Sequence, residues 1–263
     1  MDMNVKKIRE KLMELAPEDY AMEWDNSGLL LGKSDKEVKR IMIAVDVDDR
    51  TIQEATDWRA DLLISHHPLL FKTVKQITND DMIGRRIINL LQSDVAYYAM
   101  HTNYDVCRMG QLAAEILKLI HTEPIEETKE LNGQAVGIGV MGQLKEECTL
   151  SEFVRFVKSA FGLEEIRYFD REGTVRNVAV CPGSGSSVIK TALQKGADVL
   201  VTGDIGHHDG IDARDQGLAI LDAGHYGLEY IFMEDVKNYL YREFGAEIEI
   251  RTMEKKMPYS VLV

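Results

Sequence analysis

Cysteine is scarce in this chain. Cys107, Cys148 and Cys181 are widely spaced and odd in number among 263 residues, and no two stand in a CxxC arrangement. No disulfide framework is implied. Excess positive charge is also absent. The net charge of -13 argues against nucleic acid or an anionic membrane as an obligate partner, because both need a concentrated basic surface. No apolar run reaches membrane-spanning length, and Met1-Asp2-Met3-Asn4-Val5-Lys6-Lys7 lacks an apolar leader core, so the cytoplasm is the expected compartment. Nothing is low-complexity. There is no GxSxG, and no cysteine lies inside a histidine cluster beside an orienting base, which leaves serine or cysteine nucleophilic catalysis unsupported.

The composition is that of an ordinary globular protein, 45% hydrophobic and 29% charged, in a chain long enough for one large domain or two modest ones. Residues 5–16 have helical spacing and end near Pro17. Residues 41–45, 62–64 and 95–99 read as strands, with helices at 48–59 and 83–91 between them. The second half repeats the plan, with strands at 178–181 and 199–201 flanking a helix at 186–195. This alternation predicts α/β layering with a mostly parallel sheet. Laying residues 41–65 on 178–202 needs no gap and gives five identities in 25, among them Ile52/Ile189 and Asp61/Asp198. The expected organisation is two topologically similar α/β halves, at 1–126 and 127–263. Residues 122–134, polar and acidic, read as the linker between them. Gln134 to Leu144 then reads as a strand, 151–161 as an amphipathic helix and 227–244 as a C-terminal helix.

Six of the seven histidines fall in three short segments, two of which also carry carboxylates. These are Ser65-His66-His67-Pro68, His101-Thr102-Asn103-Tyr104-Asp105, and Asp204 to Asp209 running on to His225-Tyr226-Gly227-Leu228-Glu229. Imidazole with carboxylate is the donor set of a first-row divalent metal. His66 and His67 end a strand, where successive side chains point to opposite faces, so they are expected to serve two metals, or one to bind while the other orients. His225 and Glu229 share a helix face if Gly224 opens a helix. His101 and Asp105 repeat that spacing, but Asn103 and Tyr104 suggest a loop. There Asp105 is the better ligand candidate, and His101 is a ligand, a group orienting one, or a proton carrier. Asp204 to Asp209 holds too many donors for all to bind metal, and His207 and His208 are candidates to face substrate. The Cys181-Pro182-Gly183-Ser184-Gly185-Ser186-Ser187 segment joins strand to helix and could cradle an anion, or Ser186 or Ser187 could simply cap the helix. Gly137 to Gly142 fits GxGxxG but lies inside a strand pattern, against a dinucleotide site.

Five motifs in order, Glu23-Trp24-Asp25-Asn26-Ser27-Gly28-Leu29, Ile64-Ser65-His66-His67-Pro68-Leu69, His101-Thr102-Asn103-Tyr104-Asp105, Thr202-Gly203-Asp204 and Gly224-His225-Tyr226-Gly227-Leu228-Glu229, resemble the NIF3-like family, also called the GTP cyclohydrolase I type 2 family. The resemblance covers nearly the whole chain as a single NIF3-like unit, in a short form without the middle domain inserted in longer members. It implies two similar α/β domains with a dinuclear metal centre in the cleft between them and a ring-shaped homohexamer. It carries metal ligation onto His66, His67, Asp105, His225 and Glu229. The activity implied is a metal-dependent hydrolase using two divalent ions per chain, zinc, iron, manganese or nickel, on a purine nucleotide such as GTP. His101 and His208 are the candidates for proton transfer. The alternative is a metal-binding oligomeric regulatory or interaction protein without turnover.

Overall fold

The computed structural model of the protein describes residues 3–260 and 262. Packing divides the described chain into two units, and the chain passes between them more than once. One unit contains the residues up to Tyr104 together with Phe232–Lys255; the other contains Asp105–Ile231 and the described residues from Lys256 onward. This differs from two contiguous halves meeting at 126/127: Asp105 belongs to the second unit, and the C-terminal strand Glu249–Thr252 returns to the first by pairing in parallel with Arg40–Ala44.

The first unit is built on a five-stranded sheet in the order Gly28–Leu31, Ala96–Ala99, Leu62–Ser65, Arg40–Ala44, Glu249–Thr252. Only the Gly28–Leu31 edge is antiparallel. Leu62–Ser65 and Ala96–Ala99 are buried at every position, as expected of parallel strands covered on both faces. The helices arise from their apolar spacing. Val5–Leu15 buries Val5, Ile8 and Leu12, and opens where the Asn4 side chain accepts from Lys7 N. Asp48 and Asp81 cap the helices Asp49–Asp57 and Met82–Gln92 in the same way.

The second unit carries a six-stranded sheet in the order Ile120–Leu131, Gln134–Thr149, Thr174–Ser184, Val199–Gly203, Ala219–Asp222, Arg167–Phe169. Only its central three strands are mutually parallel, so the expectation of a mostly parallel sheet holds for the first unit and fails for this one. The expected linker at 122–134 is instead one arm of a long hairpin. Asn132 and Gly133, both at positive φ, make its two-residue turn. The arm is polar because it is an edge strand in which only Ile125 is buried. Pro124 is tolerated there, and two of its acids are tied to a neighbouring helix, Glu126 by Thr191 and Glu123 by Lys195.

The internal repeat is real at the level of individual hydrogen bonds. Ile41 pairs with Leu62 in the first sheet, and Val178 pairs with Val199 in the second, 137 residues further on. Ala60 N donates to Ala55 O at 2.8 Å, and Ala197 N to Ala192 O at 3.0 Å. Asp61 takes Lys39 N and Arg40 N on one carboxylate oxygen; Asp198 takes Arg176 N and Asn177 N. Arg59 and Gly196, both at positive φ, turn each helix back toward its strand. Both units add a third parallel strand and an antiparallel edge on the same side.

The two aspartates are therefore equivalent pins on the start of a parallel strand. Asp61→Ala and Asp198→Ala should each cost about 1.5–3 kcal/mol, the range for hydrogen bonds to a charged group. Urea unfolding of the two variants is the check, and a loss at one site only would break the equivalence.

Candidate metal centre

The Leu62–Ser65 strand ends at Ser65, and the backbone then enters a pinned turn. His66 N and His67 N still donate to Ala44 O and Val45 O, at 3.2 and 2.9 Å. The fully buried Tyr97 hydroxyl accepts from Leu69 N at 2.8 Å and lies 2.7 Å from Ser65 Oγ and 3.1 Å from His67 O. Burial pushes that phenol's pKa up, so it remains protonated. The turn corrects the expectation that His66 and His67 face opposite ways. Their rings are 4.9 Å apart, and with His101 they offer three nitrogens within 4.8 Å of one another.

Each imidazole in this unit is oriented through Nδ1. His66 Nδ1 lies 2.8 Å from Met100 O, His67 Nδ1 2.8 Å from Asp46 Oδ1, and His101 Nδ1 2.8 Å from Asp25 Oδ1. Carbonyl and carboxylate oxygens only accept, so Nδ1 carries the hydrogen, and in the neutral ring the lone pair is on Nε2. That is the tautomer a metal takes, held by the outer partner that metal-binding histidines usually have.

Asp25 is the best supported of these partners. Its buried carboxylate also accepts from Thr102 N at 3.0 Å, from Thr102 Oγ1 at 2.5 Å and from Asn26 N at 2.7 Å. Burial alone would raise its pKa, but the bonds from His101 and Thr102 outweigh it and hold the carboxyl well below the usual carboxylate range.

The second unit has its own donor set. The loop expected at Asn103–Tyr104 is helical, because Asn103 bonds Ala16 O and Tyr104 bonds Asp235 instead of closing a local turn. It continues as a wide turn of π type, Asp105–Met109, that opens with Asp105. His225–Glu229 is helical as expected, with Gly224 at positive φ before it. His225 Nδ1 lies 2.8 Å from Asp204 Oδ2, and its Nε2 lies 3.1 Å from Glu229 Oε2. Asp105 and Glu229 also place carboxylate oxygens within 4.8 Å of each other. With both His225 nitrogens against carboxylates and two carboxylates this close, the set needs a proton or a cation to be electrostatically satisfied. Side-chain nitrogen and oxygen donors of this kind fit a divalent first-row metal.

The glycines after Cys181 serve this set. A Cβ on Gly183 would come within 2.6 Å of Glu229 Oε1, and one on Gly185 within 2.2 Å of Thr202 Oγ1. They therefore give close approach to Glu229 and Thr202 and are not left open as an anion cradle. Cys181 is buried, and burial with the charges of Asp105 and Glu229 pushes its thiol up, away from nucleophilic use. His207 and His208 begin the helix His207–Asp215, exposed and 5.2 Å apart edge to face. Sequence reasoning did not single out Asp25 and Asp46 as orienting groups. Asp25 lay inside a recognised motif, whereas nothing marked Asp46 among the acids that come after its strand.

The arrangement defines a duplicated α/β protein whose strand ends and adjoining helices carry imidazoles and carboxylates that could hold a metal ion. Residues 3–258 match the model of the Duf34/NIF3 (NGG1p interacting factor 3) family, and the chain belongs to that family. It is 31% identical to a GTP cyclohydrolase 1 type 2 homolog of Clostridium perfringens, covering 99% of this chain and 100% of that one. Another GTP cyclohydrolase 1 type 2 homolog, from Streptococcus pneumoniae, is 36% identical over 89% of each chain. Among solved structures, a Bacillus cereus protein related to NIF3 superposes with a TM-score of 0.89 at 25% identity, covering 99% of both chains. No helix among the described residues is long and apolar enough to cross a membrane.

Replacing Asp25 by Asn should destabilise the protein by about 1.5–3 kcal/mol near neutral pH. The folded-state pKa is depressed, so the ionised carboxylate's contribution is fully present above the unfolded value of about 3.9 and fades as pH falls through the folded one. Denaturation curves of wild type and D25N should accordingly stay a constant distance apart above about pH 5 and converge in stronger acid. A gap that widened on acidification would contradict this.

Proposed function

We propose that the protein is a metal-dependent hydrolase that holds two divalent ions per chain through His66, His67, Asp105, His225 and Glu229 and acts on a purine nucleotide. The observation that carries the reading is the environment of His225, with Asp204 on Nδ1, Glu229 on Nε2, and Asp105 close to Glu229. Such a donor set is costly to assemble without a proton or a cation. The orienting bonds to Nδ1 of His66 and His67 support it, as do the names of the curated relatives. The donors suit zinc, iron, manganese or nickel alike.

When bound, the metal supplies Lewis-acid polarisation and activation of water. The chain's own residues do the rest. Asp46, Asp204 and Met100 O fix the tautomers of His67, His225 and His66. His101, held through Nδ1 by Asp25, takes up or returns a proton at Nε2. Asp25 stabilises the charge that forms on the ring when it does. His208, exposed at the start of its helix, is the second candidate for proton transfer. The assembly that goes with this reading is the family's ring-shaped homohexamer.

Elemental analysis of protein purified without added metal or a histidine tag should find about two equivalents per chain. Glu229→Gln and His66→Ala should each lower that number. His101→Asn should keep the metal and lose turnover of GTP by about 100- to 10,000-fold, the usual size of a general acid–base contribution. Metal-free protein that takes up no zinc, manganese or iron would overturn the hydrolase reading. Full metal with no turnover in the wild type would favour the metal-binding regulatory or interaction protein instead.

A further inference from the structure

Trp24 and Phe71 are 60% and 51% exposed, unusual for large aromatic side chains, and they stand together beside His101. Their ring centroids are 5.9 Å apart, and each presents an edge-to-face contact to the His101 ring, at 6.1 and 6.2 Å. They line an open cavity of about 390 Å³ in the first unit, with Asn26, Lys72 and Val74 on its walls. The Asn26 amide is fixed by donating from Nδ2 to Leu70 O at 2.7 Å, so its Oδ1 acceptor is turned away from that bond. The adjoining segment is cationic in an acidic chain. No acid lies between Asp61 and Asp80, whereas Lys72 and Lys75 are both exposed there.

We propose that Trp24 and Phe71 form the base-binding subsite of the protein. They would take the planar heterocycle of a nucleotide by stacking, with Asn26 Oδ1 accepting from a ring N–H and Lys72 and Lys75 pairing with the phosphate. Exposed aromatic faces gain most from a flat, polarisable ring, and every nucleobase offers one. The neighbouring cations match an anionic tail in a protein that otherwise repels anions. The ring contacts to His101 set the heterocycle beside the group assigned to proton transfer. This deepens the hydrolase reading and rests on it only for the reacting centre. The subsite itself is a matter of binding.

The test needs no turnover. Trp58 is the chain's only other tryptophan and packs against Arg251 at 4.4 Å, so Trp58→Phe leaves Trp24 as the sole indole reporter. Guanosine and guanosine monophosphate, titrated into this full-length variant without added metal, should quench Trp24 fluorescence, and the monophosphate should bind more tightly. That advantage should shrink in high salt and in Lys72→Ala/Lys75→Ala. Calorimetry on Trp24→Ala and Phe71→Ala should show affinity weakened roughly 5- to 150-fold per ring with folding intact, and Trp24→Tyr should restore most of it. Affinity unmoved by either alanine, or no quench at millimolar nucleotide, would overturn the proposal. So would light scattering and acrylamide quenching that find Trp24 buried against a second copy. Guanosine monophosphate binding with no hydrolysis by metal-loaded protein would sink the hydrolase reading alone. Hydrolysis with a KM indifferent to Trp24→Ala would sink the subsite alone.

Discussion

Everything proposed for this protein depends on one constraint, the commitment of Nδ1. Four imidazoles, His66, His67, His101 and His225, each have that nitrogen at 2.8 Å from an oxygen that can only accept. A histidine free to rotate and to choose its tautomer loses entropy on binding a cation and competes with its own protonation. One fixed in this way has Nε2 aimed before any ligand arrives. The partners are themselves set by the sheet. Met100 comes directly after a buried strand and donates its own N–H to Ser65 O, and Asp46 comes just after the strand that pairs with Leu62–Ser65. In the first unit, the rings of His66 and His67 are therefore held by backbone that follows directly from paired parallel strands.

Much of this could be read from the sequence, for identifiable reasons. Buried parallel strands give uninterrupted apolar runs and the helices between them keep apolar spacing, so the strand-helix-strand frame and the 137-residue repeat were visible. The readings failed where a tertiary bond overrode local pattern. Asn103 favours turns and Tyr104 favours strands by type, yet their side chains bond Ala16 and Asp235, and the backbone is helical. The 122–134 segment is acidic, yet it pairs as an edge strand because Lys195 and Thr191 engage its acids. The period-two rule put His66 and His67 on opposite faces, but the strand stops one residue earlier and Tyr97 closes the turn. A buried tyrosine's hydroxyl leaves no local signature.

The five candidate ligands were found through clustering and motif, whereas their orienting partners were not. An aspartate that accepts from a histidine twenty or more residues away looks, in one sequence, like any other acid on an acidic chain. Only the distances separate Asp25 and Asp46 from their neighbours.

The repeat also shows how the two copies differ at equivalent positions. The 137-residue offset places Gly203 and Asp204 where the first unit has His66 and His67. A side chain cannot return at the first of these positions, because a Cβ on Gly203 would lie 2.4 Å from His225 N. The backbone that opens the helix His225–Glu229 lies where that side chain would begin. Asp204, at positive φ, then turns its carboxylate onto His225 Nδ1. One copy thus presents imidazoles directly from the end of its strand. The other has a glycine there, against which a helix packs, and its next residue, Asp204, bonds the imidazole that helix carries. A duplicated frame with a histidine at one such position and a glycine at its equivalent thus yields two different donor sets, imidazoles alone in the first unit and an imidazole with carboxylates in the second.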